Sequence, residues 1–327
     1  MDIVTIFNIV VYVIVFLFGI TIGSFLNVCI LRLPRGESLI TNNSHCMTCN
    51  TEIKRYDLIP VFSWLILRGR CRACGAKISP RYMLVELLTG ILFIVNYAVY
   101  PYDTNGLYFV MLSLFMSGLI VLTFQDIDTQ TMCVSVLVYT LIISVITHVL
   151  TFIDDGDGNG FSIVRMPADL KSCIIGGLAV GGGLLLIGFA ITPAVYVLLL
   201  SQDHKDLRRL NRALNNTNDN HERSKLMRKI DHTKENIKKT GPVFGFGMGD
   251  IIMMVAGGFM FGLKATCFAT IIAIITGAVY GIVKKATESE DSGESAFAFG
   301  PFLALGLLCG AYFGIPAADA YINYMFG

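Results

Sequence analysis

The apolar residues of this chain are gathered into blocks of roughly 18 to 30, long enough to cross a hydrocarbon core of about 30 Å as helices. Backbone N–H and C=O groups find no partners in lipid, so only helices and closed barrels can span it. Uninterrupted apolar runs fit helices, whereas barrel strands alternate apolar and polar residues. Composition agrees: of 327 residues, 54% are hydrophobic and 15% charged, where a soluble domain carries about 25% charged residues. The expected fold is therefore all-α, a polytopic membrane bundle of about eight transmembrane helices at 3–32, 82–100, 106–124, 131–153, 171–200, 250–263, 265–283 and 298–326. The sixth is short for a full crossing. The first has Asp2 and no basic residue ahead of it, and its apolar run is too long for a signal-peptide core, so it reads as a retained helix.

A net charge of +1 says little, but its distribution says more. The loop 33–81 carries eight basic and three acidic residues, and the loop 201–249 eleven basic and six acidic. By contrast, 101–105 has only Asp103, and 154–170 has four aspartates against Arg165. Basic loops stay in the cytoplasm. With eight spans this places 33–81, 125–130, 201–249 and the acidic 284–297 inside, and both termini outside.

Nine cysteines divide into two groups. Cys29, Cys133, Cys173, Cys267 and Cys309 sit singly in or beside apolar blocks, where buried thiols are ordinary. The others form Cys46-Met-Thr-Cys49 and Cys71-Arg-Ala-Cys74. Two such knuckles present four thiolates to one tetrahedral metal, and Gly75 suits the turn after the second. Two disulfides or free thiols are the alternative, and a loop on the reducing side argues against disulfides. The expectation is a structural zinc site on a small cytoplasmic four-cysteine domain, which gains folding energy from the metal.

Carboxylates inside apolar spans are costly and usually functional. Phe124-Gln-Asp126-Ile-Asp128 ends the third span, and Gly245-Phe-Gly247-Met-Gly249-Asp250 opens the sixth. Charge counting puts both at the same end. Two close carboxyls cannot both ionise; they share a proton and can activate a water against a peptide carbonyl. Gly247 and Gly249 would let an extended substrate backbone lie beside Asp250. On spacing alone Asp126 and Asp128 could cap the next helix, either could belong to the pair, and a transporter or proton channel also buries paired aspartates.

These residues, taken in order, resemble the bacterial type IV prepilin peptidases. Gly23-Ser-Phe-Leu-Asn27-Val and Arg32-Leu-Pro-Arg-Gly-Glu-Ser38 look like that family's opening signature. Ser44-His45-Cys46, Leu58-Ile-Pro-Val-Phe-Ser-Trp64 and Arg68-Gly-Arg-Cys-Arg-Ala-Cys74 are similar to its cysteine domain. Arg81-Tyr82 with Val85-Glu86-Leu87, and Phe299-Gly-Pro-Phe-Leu-Ala-Leu-Gly306, resemble its second and last helices. The family's catalytic aspartates fall on Asp126 and Asp250, so the resemblance selects Asp126 over Asp128. It implies cleavage of the basic leader of prepilins or pseudopilins after a glycine, at the cytoplasmic face of the bacterial inner membrane. It also implies N-methylation of the new N-terminus from S-adenosylmethionine. Three departures stand out: no proline follows Asp126, Ile252 occupies a position that is often lysine, and Asn42-Asn43 replace a proline before the first knuckle.

The expected division is a first helix at 1–32, the cysteine domain at 33–81, and a peptidase core at 82–327 with a polar insertion at 202–241. Leu207, Leu210 and Leu214, then Leu226, Met227 and Ile230, flank Asn215-Asn-Thr-Asn-Asp-Asn220 at helical spacing, which predicts a helical hairpin turning at the asparagines. Its basic face would meet a partner or anionic membrane lipid, or be simply solvated. No nucleic-acid partner is expected, and no oligomeric state follows from these residues. A catalytically silent scaffold for pilus or secretion assembly is the remaining alternative.

Overall fold

The computed structural model describes residues 2–40, 44–156, 168–217, 220–239, 247–287 and 298–326. Asn42-Asn43, Gly245-Phe246 and the loops 157–167 and 288–297 lie outside the described residues. Among the latter there are nine α-helices: α1 (Ile3–Arg32), α2 (Phe62–Ile66), α3 (Arg81–Val99), α4 (Tyr102–Thr129), α5 (Val134–Gly156), α6 (Leu170–Asn216), α7 (Asn220–Lys239), α8 (Met248–Thr287) and α9 (Gly300–Phe326). Seven are long and apolar enough to cross a membrane. The chain is a helical, multi-pass membrane protein.

One of these seven, α8, hides an eighth span. α8 is broken at Gly262, whose φ of 80° and ψ of 174° are essentially open to glycine alone. Past that point the chain turns back. The Thr266 hydroxyl donates to the carbonyl of Gly257, nine positions earlier, at 3.4 Å, where a continuous helix would separate those levels by about 13 Å. The limbs 248–261 and 263–287 thus lie side by side, in line with the separate spans expected at 250–263 and 265–283.

A break inside lipid leaves backbone groups that neighbours must satisfy. The Leu263 N–H donates to Ser172 Oγ at 3.2 Å, Thr266 also donates to the Gly262 carbonyl at 2.7 Å, and Ser144 of α5 donates to the Ala256 carbonyl at 2.9 Å. His148 Nε2 lies against the Phe259 carbonyl. A Cβ at position 262 would stand 2.7 Å from that of Ala168. Gly262→Ala is therefore expected to lower the thermal midpoint of detergent-solubilised protein by about 5 °C or more. An unchanged midpoint would contradict the turn-back.

Elsewhere small residues bring helices together, as lipid-embedded interfaces require. Gly306, Gly310 and Gly314 of α9 face Ala265, Ala269 and Ala273 of the second limb of α8. α6 continues without interruption past the apolar stretch to Asn216, and α7 restarts at Asn220. The described part of the polar insertion is thus two helices, the first of them an extension of a membrane helix, and the expected turn at 218–219 lies outside the described residues.

Residues between α1 and α3 form a compact module. The Trp64 indole N–H donates to the Ile78 carbonyl at 3.2 Å while its ring covers Gly69. Arg72 forks onto both oxygens of Asp57, at 2.6 and 2.9 Å, which holds that carboxyl below its ordinary range. The module is anchored to α3, whose start is itself tied to α1. Asn27 of α1 donates to the Tyr82 carbonyl at 2.9 Å. Buried Glu86 of α3 accepts the Val61 N–H at 2.7 Å. Val61 has φ 63° and ψ −53°, and the Phe62 N–H donates to the Pro60 carbonyl at 2.6 Å. That is a strained γ-turn, held by a carboxylate from the bundle.

Candidate active site

The third span ends in a turn that is fixed on several sides. Gln130, at φ 52°, closes α4 with its N–H on the Asp126 carbonyl at 2.9 Å. Buried Gln125 accepts the Cys133 N–H at 3.2 Å through Oε1, which folds the following loop back against the helix. This turn presents Asp126, only 7% exposed, toward the start of α9. There Asp126 Oδ2 accepts the Gly300 N–H at 2.8 Å.

Asp250 is 9% exposed and sits in the first turn of α8. Its Oδ2 accepts the Gly247 N–H at 3.2 Å, reaching back from the third helical position to the capping residue as in a capping box. Each aspartate therefore rests on N-terminal amides of a helix, Asp126 on α9 and Asp250 on α8. The positive end of each helix dipole favours a carboxylate there. Asp126 is also among the charges acting on Asp250, so the two lie within electrostatic reach. Met132 touches both helix starts. A Cβ at Gly249 would come 2.9 Å from its sulfur, and one at Gly300 would come 2.5 Å from its methyl and 2.7 Å from Asp126 Oδ2.

Gly247 is exposed, while Gly249 is partly covered by Met132. Asp128 belongs elsewhere: both of its oxygens accept from Arg81, each at 2.6 Å. The alternative that Asp126 and Asp128 cap the next helix is not what the structure has, because α5 begins only at Val134. Sequence reasoning missed Gly300 and Met132. The Gly300-Pro301 pair is an ordinary helix-start signal, but nothing in it pointed to Asp126, 174 positions earlier.

The cysteine knuckles repeat one geometry. Cys46 N–H donates to the Thr51 carbonyl and Asn50 N–H to the Cys46 carbonyl; Cys71 N–H donates to the Ala76 carbonyl and Gly75 N–H to the Cys71 carbonyl. Each ends on a left-handed residue, Asn50 at φ 57° and Gly75 at φ 72°. The ligand atoms of Cys46, Cys49, Cys71 and Cys74 all lie within 4.8 Å of one another, with 3.8 Å between the sulfurs of Cys46 and Cys74. Thiolates about 2.3 Å from a tetrahedral metal stand about 3.8 Å apart, so the four fit one ion. The four thiols also act on one another: hydrogen bonds from the backbone at Cys49 and Thr48 draw the Cys46 thiol down to about 6, while hydrogen bonds with the other thiols push Cys74 up to about 12. The module lies at the same end of the bundle as the aspartates, since Arg81 directly follows it and grips Asp128.

The site is thus two buried carboxylates at the end of a multi-pass helical bundle that also carries a four-cysteine module. Residues 17–100 match the Bacterial Peptidase A24 N-terminal domain, which includes α3 and much of α1 as well as the knuckles. The prepilin leader peptidase/N-methyltransferase of Myxococcus xanthus is 52% identical over 81 residues, 25% of this chain and 24% of that relative. The Neisseria gonorrhoeae protein of the same name is 29% identical over 311 residues, covering 88% and 85% of the two chains. The Stutzerimonas stutzeri protein, also of that name, is 25% identical over 329 residues, covering 94% and 92%. No solved structure matches. Over most of its length the chain is thus similar to bacterial prepilin leader peptidases, and most strongly so in the N-terminal quarter.

Proposed function

We propose that this chain is a membrane aspartyl endopeptidase that removes the leader of type IV prepilins or pseudopilins after a glycine and N-methylates the new N-terminus. The observation that carries the reading is the placement of Asp126 and Asp250, buried, in electrostatic reach, and each on a helix N-terminus at one end of the bundle. Relatives along most of their length bear both activities in their names. The divisions at 32/33 and 81/82 and the placement of that end in the cytoplasm, with both termini outside the inner membrane, belong to the same proposal. So do contacts of the 202–241 hairpin with membrane lipid.

The pair acts as one unit. One carboxylate takes a proton from water as its oxygen attacks the carbonyl carbon of the scissile glycine. The other, protonated, donates to the carbonyl oxygen, giving a tetrahedral gem-diol. On collapse one gem-diol hydroxyl returns its proton to the carboxylate that had donated, the C–N bond breaks, and the amine leaves with the proton the other carboxyl took from water, so the pair ends as it began. Exposed Gly247 and its neighbour Gly249 leave room for the substrate backbone beside Asp250.

Cys46, Cys49, Cys71 and Cys74 would hold zinc, which supplies folding energy and no step of the hydrolysis. S-adenosylmethionine supplies the methyl group, by analogy with the relatives' names. A type IV prepilin co-expressed with this chain should show, by intact and N-terminal mass spectrometry, loss of its leader and a 14 Da gain on the new N-terminus. Unprocessed prepilin would leave the transporter or scaffold readings standing instead.

Gly300 offers a second test. A methyl group there would collide with Asp126 Oδ2 and with Met132. Gly300→Ala is expected to lower leader release about 100-fold in protein that still folds, because small misplacements of a catalytic group are this costly. Activity within threefold of the parent in an initial-rate assay would contradict the placement of Asp126.

A further inference from the structure

We infer that Arg81 and Asp128 form a clasp that positions Asp126 for catalysis, an inference that rests on the proposed peptidase reading. Arg81 is the first residue of α3, where the chain leaves the cysteine module. Its Nη1 and Nη2 donate to Asp128 Oδ1 and Oδ2, each at 2.6 Å, in the parallel fork that gives Arg–carboxylate pairs their directionality. Nη2 also points at the Phe124 carbonyl, at 3.4 Å, and the guanidinium lies 5.0 Å from the centre of the Phe124 ring. Residues 124 and 128 bracket Asp126, so one side chain grips the catalytic turn on either side of the aspartate.

The electrostatics explain why the grip is needed. α4 ends at Thr129, so Asp126 and Asp128 both sit near the negative end of its dipole, where carboxylates are disfavoured. Asp126 is relieved by the α9 amide. Asp128 has Arg81. With Arg81 gone, an uncompensated charge two residues from Asp126 would push the turn to rearrange. The clasp itself is partly exposed, at 34% for Arg81 and 28% for Asp128, and exposed pairs contribute little to global stability. Its loss should therefore appear in the geometry of the turn, in protein that remains folded. Arg81 and Asp128 are positioning residues, acting through Asp126.

The test uses full-length enzyme in detergent with a purified type IV prepilin. Arg81→Gln is expected to lower kcat by about 30-fold with KM within threefold, and Asp128→Asn by about fivefold. The double variant should be no slower than Arg81→Gln and should recover toward Asp128→Asn, because removing the orphaned charge removes the cause of the rearrangement. A lysine at 81 should recover only part of the rate, having no fork. Zinc content and thermal midpoint serve as folding controls. A second readout does not depend on cleavage: in an Asp126→Cys background, maleimide labelling at position 126, read by peptide mass spectrometry, should be about tenfold faster once Arg81→Gln is added. Unchanged labelling, a kcat within twofold of the parent in Arg81→Gln, or losses that multiply in the double variant would overturn the clasp. No cleavage by the parent enzyme would defeat the peptidase reading instead, and the labelling result would still decide the clasp.

Discussion

Asparagine at either Asp126 or Asp250 is expected to slow leader release by about a thousandfold or more, in protein that inserts and folds normally. Asparagine keeps the shape, and its carbonyl oxygen can still accept from Gly300 or Gly247, so the helix starts at α9 and α8 stay supported. What it removes is the shared proton. An amide can neither take a proton from water nor hand one to the substrate oxygen, and the remaining carboxyl then lacks its partner. Initial rates on a purified prepilin, with circular dichroism and thermal midpoint as controls, would check this. Rates within tenfold of the parent for either variant would remove that residue from the chemistry. Asp128→Asn serves as the internal contrast, with an expected loss of about fivefold only.

Serine at Cys46 or Cys71 is expected to cut bound zinc from about one ion per chain to below about a fifth and to expose the module to protease, because a four-thiolate site is itself the module's folding energy. The module has little else. Its helix α2 spans five residues, and its packing centres on Trp64 over Gly69. Each substitution removes one corner of a cluster whose ligand atoms lie within 4.8 Å of one another. Metal analysis by mass spectrometry, with limited proteolysis across 33–81, reads both effects. Retained stoichiometry in the serine variants would refute the metal assignment. Through the γ-turn at Val61 and its bond to Glu86, loosening of the module should also reach the α1–α3 contact.

Much of this was legible in the sequence because it depends on local composition. Apolar runs long enough to span lipid predicted the helices, and the pair of CxxC motifs with Gly75 predicted two knuckles of matching geometry. The separate spans expected at 250–263 and 265–283 match the two limbs on either side of Gly262, since glycine and Lys264 interrupt an otherwise continuous apolar run. Charge counting placed Asp126 and Asp250 at one end of the bundle.

The rest was hidden because it depends on partners far apart in the chain. Residue spacing alone left Asp126 and Asp128 interchangeable; the structure separates them through Arg81 on another helix, 47 positions from Asp128. Gly300 is an ordinary helix start until Asp126 is seen to accept its N–H. Met132 reads as one more apolar residue, although it fills the space between Gly249 and Gly300. The membrane span at 171–200 and the polar insertion after it read as separate elements because composition changes sharply there. Helical hydrogen bonding runs on through that change, and α6 is one helix.

The claim that matters most is that Asp126 and Asp250 act as one catalytic unit. The direct test is kcat/KM for leader release by Asp126→Asn, by Asp250→Asn and by the variant carrying both. If the pair is a unit, all three should fall to the same residual rate within about threefold, because either loss alone already disables it. A double variant slower than each single one by the product of their separate losses would show two independent contributions and contradict the account.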